Sequence, residues 1–166
     1  NYAFTSNPNL SCIQVDDIAY SYANWARAKD ATANYSGSCQ PLIGYTLIPD
    51  LNFEKKLLAL GIDSGLADGY VLTGSISSLT SLDVSSASIK DLTGIQDFKN
   101  LTSLNCYSNQ LTSLDISKNT ALKNLSCDSN QLTTLDISKN TALKNLSCYS
   151  NQLTTLDASM NTALTY

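Results

Sequence analysis

The sequence predicts a mainly β solenoid of stacked short coils, fronted by one short helix. Three observations carry that expectation. From Leu101 to Ala163 one 21-residue phrase is written three times: LTSLNCYSNQLTSLDISKNTA, LKNLSCDSNQLTTLDISKNTA and LKNLSCYSNQLTTLDASMNTA. Leu101, Leu122 and Leu143 keep that period, as do Cys106, Cys127 and Cys148, and Asn109, Asn130 and Asn151. Each phrase also holds one half-pattern twice, Leu101-x-x-Leu104-x-Cys106-x-x-Asn109 and then Leu111-x-x-Leu114-x-Ile116-x-x-Asn119. A fixed period of this length means supersecondary units that each touch only their neighbours. Twenty-one residues leave too little chain for a three-turn helix, a strand and two turns, so both legs of each coil are expected to be extended.

Composition narrows the function. The chain has 166 residues, a net charge of −4 and 14% charged residues with no block of like charge. Nucleic-acid binding, which needs clustered Lys and Arg, is therefore not expected. No apolar run approaches the ~18 residues of a spanning helix, so membrane insertion is not expected. Histidine is absent, which removes the commonest general base and metal ligand. With neither initiator Met nor signal peptide, Asn1 reads as the start of a processed or trimmed chain.

Taken in order, residues 1–40 do not repeat the phrase, yet Asn9-Leu10-Ser11-Cys12 echoes Asn124-Leu125-Ser126-Cys127. This reads as the last coil of an array, with a short strand from Cys12 and with Tyr20, Tyr22, Trp25 and Tyr35 as aromatic cover. A Cys12–Cys39 disulfide would close a loop of roughly 28 residues and stabilise by ~3–4 kcal/mol; two free thiols are the alternative. Residues 41–47 read as a Pro/Gly linker. Residues 48–78 read as a helical cap, with Asp50 capping a helix over 51–60, Glu54 suiting its positive end, Gly61 ending it and Phe53, Leu57 and Leu60 on one apolar stripe. The rest of the cap, 62–78, reads as irregular chain. Repeats fill 79–166, in coils starting at 79, 101, 122 and 143, the next being cut short at 164. In the first, Ile89, Leu92, Ile95 and Phe98 recur every three residues, which suits a 3₁₀ turn.

The periodic residues invite chemistry, but the coil accounts for most of them. Cys106, Cys127 and Cys148 occupy inward apolar positions, where cysteine is a small hydrophobe, and thiols in line do not converge on a metal. Asn109, Asn130 and Asn151, with Asn119, Asn140 and Asn161, stand at turns where an amide satisfies backbone groups. Asp115, Asp136 and Asp157 stack with like charge and are expected to bond the following turn rather than calcium. What the repeat leaves over is a set of outward positions where the phrases disagree: Asn105 and Tyr107, Ser126 and Asp128, Ser147 and Tyr149. Tyr107 and Tyr149 flanking Asp128 make an aromatic and acidic patch suited to sugar stacking or a protein contact. Exposed Thr files leave an ice-binding role as a remote alternative.

The phrase LxxLxCxxNxLxxLDxSxNxA resembles the short nested leucine-rich repeats of Bacteroidetes secreted and surface proteins. Ile48-Pro49-Asp50-Leu51-Asn52-Phe53-Glu54 resembles their opening cap, and Ile89-Lys90-Asp91-Leu92-Thr93-Gly94-Ile95 is also similar to internalin-type repeats. Asn7 to Asp16, with Asn24-Trp25, resembles a closing cap. The resemblance implies a right-handed leucine-rich-repeat solenoid with one short capping helix; with the Cys12–Cys39 pairing above, the expected fold adds a small, disulfide-closed N-terminal cap segment. The resemblance also implies a non-enzymatic, cofactor-free module, secreted or at the cell surface, that binds a protein or glycan ligand or serves adhesion. The order of parts, closing cap, opening cap, unfinished array, suggests a window from a longer tandem-array protein. The alternative is a structural unit that self-associates end to end into a filament or surface layer.

Overall fold

The computed structural model describes residues 12–14, 34–36 and 44–165. The chain divides into two compact units, Asn1–Ile43 and Gly44–Tyr166. In the first, strand β1 (Cys12–Gln14) pairs in parallel with β2 (Asn34–Ser36). The expected Cys12–Cys39 bridge and the aromatic cover lie outside the described residues.

The second unit opens with strand β3 (Tyr45–Leu47), where the sequence reading placed a linker. It pairs antiparallel with β4 (Tyr70–Leu72), in the stretch read as irregular chain. Three-residue strands carry too little alternation to be read from sequence. Helix α1 (Leu51–Ala59) lies between them, and a single turn, α2 (Thr73–Ile76), follows β4. Asp50 caps α1 by accepting from the Asn52 and Phe53 amides at 2.8 and 3.0 Å. Its other oxygen accepts from the Lys90 and Asp91 amides at 2.8 and 3.1 Å, so one carboxylate ties the helix start to the first coil. At the other end the Gly61 and Ile62 amides bond back to the Leu58 and Leu57 carbonyls, both at 3.0 Å, with Gly61 at φ 68°. This left-handed glycine closes the helix as sequence suggested.

Phe53 and Leu57 are fully buried. Phe53 stacks on Phe98 of the first coil, with ring centroids 6.3 Å apart. Leu60 departs from the expected stripe: it is the C-terminal cap residue and stands exposed, because the chain turns away at Gly61 before its side chain reaches the core. Cap and first coil meet closely at Gly94, whose φ is 102°; a Cβ there would strike Ile48 Cδ1 and come within 2.6 Å of the Leu47 carbonyl oxygen.

The repeats form one four-stranded parallel sheet in chain order: β5 (Ser81–Asp83), β6 (Ser103–Asn105), β7 (Asn124–Ser126) and β8 (Asn145–Ser147). Leu82, Leu104, Leu125 and Leu146 align across it. The coil begun at Leu101 buries Leu104, Cys106, Leu111, Leu114 and Ile116 with it, and stacking turns these rings into a continuous core. The first coil's second leg holds a 3₁₀ turn at Ile95–Asp97. The other second legs carry no ladder strand, so the described residues form a sheet on one leg of each coil only. The cause is local. Asp115, Asp136 and Asp157 capture the amides of Ser117, Ser138 and Ser159 at 3.0, 2.8 and 2.8 Å, and turns such as Asn119 N–H to Ile116 C=O, 2.9 Å, follow. Amides spent on such turns are withdrawn from a ladder.

Candidate recognition face

The outward residues of the sheet build the site. Asp83, Asn105, Ser126 and Ser147 stand in one register file across β5 to β8. Two residues further along each coil, Ser85, Tyr107, Asp128 and Tyr149 form a second file. The backbone holds that file in register: the Ser86 amide donates to the Tyr107 carbonyl at 3.0 Å, Ser108 to Asp128 at 2.9 Å and Ser129 to Tyr149 at 3.0 Å. Tyr107 is 40% exposed and Tyr149 65%. Two coil spacings of about 4.8 Å put their backbones roughly 10 Å apart.

Asp128 differs from its expected role. It is 4% exposed, so the patch presents no free acid. Its carboxylate accepts from the Ser126 hydroxyl at 2.7 Å, from the Ser147 hydroxyl and from the Tyr149 amide at 3.2 Å. A carboxylate excluded from water is stable only with donors around it, and the two serines supply them. Asp128 is thus a brace between coils that fixes Tyr149. Its coil-to-coil partner Ser147 lies 19 residues away, and the readable signal was a Ser beside the Asp in its own phrase and at the same place in the next. In the coil before, Asn105 turns inward on its own loop and accepts the Tyr107 amide at 3.2 Å. The face has two projecting rings over a floor of Ser and Asn, with the exposed Asp83 carboxylate at its β5 edge, and none of the eight residues in its two files is basic.

The ladders behind it are structural. Cys106 and Cys127 are fully buried, and their thiols lie 3.4 and 3.5 Å from the Ser126 and Ser147 carbonyls, positioned to donate. Burial, then the nearby Asp128 charge, pushes the Cys106 thiol up to about 12. Burial and the neighbouring thiols push Cys127 up, and burial raises Cys148. Thiols held protonated are neither nucleophiles nor metal ligands at neutral pH. Asn130 accepts the Leu111 amide at 3.0 Å and donates to the Cys106 and Cys127 carbonyls, both at 3.0 Å. Asn109 and Asn151 make matching bonds. On the other leg Asn119, Asn140 and Asn161 donate to carbonyls of the preceding coil. Asp115 is held below the usual carboxylate range by its bonds to Ser117, and Asp136 and Asp157 by theirs to Ser138 and Ser159. Among the described residues no group of three or more His, Cys, Asp or Glu is placed to hold a metal ion, and no helix is long and apolar enough to cross a membrane.

A chain whose repeats coil around a four-stranded parallel sheet, with leucine files and stacked asparagines, is a leucine-rich-repeat protein. Its relatives are of that kind. Internalin J of Listeria monocytogenes (serotype 4b, strain F2365) is 37% identical over 126 residues, 69% of this chain and 13% of that protein. The solved functional domain of InlJ from Listeria monocytogenes, described as including a cysteine ladder, shares 42% identity at a TM-score of 0.67, over 74% of this chain and 28% of that one. The crystal structure of an internalin, InlF, from Listeria monocytogenes strain 4b F2365 matches in fold at a TM-score of 0.63 and 24% identity, over 71% of this chain and 35% of that one. The chain thus spans a small part of the relatives it matches. No family model matches it.

Proposed function

We propose that the chain is a non-enzymatic, extracellular recognition module that binds a protein or glycan ligand through the outward face of β5 to β8, in adhesion or surface display. One observation carries this reading: Tyr107 and Tyr149 project from a Ser- and Asn-rich sheet face with Asp128 tied down between them. Exposed aromatic rings of low conformational entropy beside neutral hydrogen-bonding groups suit both a protein contact and a stacked sugar. Similarity to internalins supports the surface-recognition class. The Bacteroidetes-type assignment rests on the nested repeat motif alone, and the disulfide-closed first unit on the Cys12 and Cys39 spacing. Glycan arrays and panels of matrix proteins, run with wild type and the Tyr107→Ala/Tyr149→Ala double variant, test the site. Binding is expected to fall at least tenfold in the variant with its circular dichroism unchanged. Full retention of every detected interaction would remove the site proposal.

A further inference from the structure

Asp128 fixes the polarity of the hydroxyls beside the two tyrosines. Ser126 donates to one of its carboxylate oxygens at 2.7 Å, and Ser147 donates to the other. A hydroxyl has a single proton, so these half-buried serines keep only lone pairs for a ligand. Asp128 itself is buried and presents no charge to one. At the β5 edge Asp83 Oδ1 accepts the Ser85 amide at 2.9 Å and the Ser85 hydroxyl at 2.6 Å, bonds that hold its exposed carboxyl below the usual range and therefore ionised. The nearest lysines in sequence, Lys123 and Lys144, precede β7 and β8 and belong to neither file. A ligand that suits such a face brings hydrogen-bond donors and no negative charge, which favours sugar hydroxyls over carboxylate, sulfate or phosphate groups.

The spacing of the rings adds a length. Tyr107 and Tyr149 stand two coils apart, with the Asp128 coil between them, and two coil spacings come to roughly 10 Å along the solenoid axis. In an extended β-1,4-linked pyranose chain each ring is turned over relative to the last. Alternate rings therefore present the same face, and two residues of such a chain cover the distance between the tyrosines. Chains that curl, as α-1,4-linked ones do, cannot keep alternate rings on a straight file.

We propose, building on the recognition reading above, that this face takes a neutral, linear β-1,4-linked glycan laid along the solenoid axis, with alternate sugar rings stacked on Tyr107 and Tyr149 and the ring between them donating to Ser126 and Ser147. Tyr149, the more exposed of the two, is held by the bond from its amide to Asp128 at 3.2 Å. Two stacks at a fixed separation select length and linkage, while the acceptor floor selects neutrality.

Titration calorimetry of the full chain with cello-, manno- and chito-oligosaccharides of one to six rings tests this, and the three series separate the sugars that share this geometry. A trisaccharide is the shortest ligand that reaches both tyrosines. Affinity is expected to rise about tenfold from disaccharide to trisaccharide in at least one series, the worth of one aromatic stack. Tyr107→Ala and Tyr149→Ala are each expected to remove that step, because a single remaining ring gains nothing from the third sugar. Both side chains are exposed, so the fold is expected to be unchanged. Malto-oligosaccharides and oligogalacturonates of the same lengths are expected to show no step. Absence of the step in all three β-1,4 series, its survival in either variant, or equal binding of the α-linked or acidic chains overturns the glycan assignment. Loss of a protein ligand in the Tyr107→Ala/Tyr149→Ala double variant alongside such a result would leave the recognition face standing with the glycan assignment overturned.

Discussion

Five serines sit in the left-handed region: Ser86, Ser88, Ser108, Ser129 and Ser150, at φ between 52° and 57°. Four share one place in successive coils, where the chain leaves the sheet and the Asn ladder begins. An L-residue there is strained by contact of its Cβ with the backbone, so the repeat carries a small cost in every coil. Ser86 is exposed and contributes its amide to the Tyr107 carbonyl, which glycine preserves. Ser86→Gly is therefore expected to raise stability by about 0.5–1 kcal/mol, despite glycine's larger unfolded-state entropy. Urea denaturation gives the value directly, and a loss of stability would show that the serine side chain is needed. The Tyr and Asp residues make the complementary point about what can be read at this scale. That Tyr107 and Tyr149 project followed from subtracting the periodic residues. That Asp128 is withdrawn did not, because its fate depends on hydroxyls donated from its own coil and from the next.

At the scale of elements, α1 was legible and its surroundings were not. Asp50 and Gly61 act within one turn of the helix they bound, so their roles follow from local chemistry. Glu54 looked like a dipole partner, and its burial comes from Asp68 and Gly69, fourteen and fifteen residues on. Strands β3 and β4 exist through their mutual pairing, which three residues cannot announce. Asp50 exceeds its local role in the same way, since its second oxygen holds the Lys90 and Asp91 amides. Asp50→Ala is accordingly expected to cost more than an ordinary N-cap, about 2–3 kcal/mol against a typical ~1. Exchange protection should fall together in α1 and at Lys90 and Asp91. A loss confined to the first turn of α1 would mean that the bridge to the first coil contributes nothing.

For the molecule as a whole, the two kinds of carboxylate set opposing pH limits. Asp83, Asp115, Asp136 and Asp157 have carboxyls held low by bonds to the serine two residues on. A group whose folded value is depressed stabilises above its unfolded value, 3.8 for these aspartates, and that contribution is lost as pH falls through the folded value. Glu54 has the opposite sign: raised from 4.5 to about 7, it contributes stability that is complete below 4.5 and is lost as pH rises through 7. Asp68, raised from 3.8, adds to the alkaline loss. The aspartate contributions are spread over four coils and individually small because these groups are exposed and screened, whereas the Glu54 contribution is concentrated in the cap. The melting temperature is therefore expected to peak at about pH 4–5, with a shallow acid limb and a steeper alkaline one. Calorimetric scans from pH 3 to pH 9 read both limbs. Glu54→Gln should flatten the alkaline limb alone, and Asp115→Asn with Asp136→Asn the acid limb alone. A stability maximum above pH 7 would contradict the assignment of opposite signs to the cap and the coils.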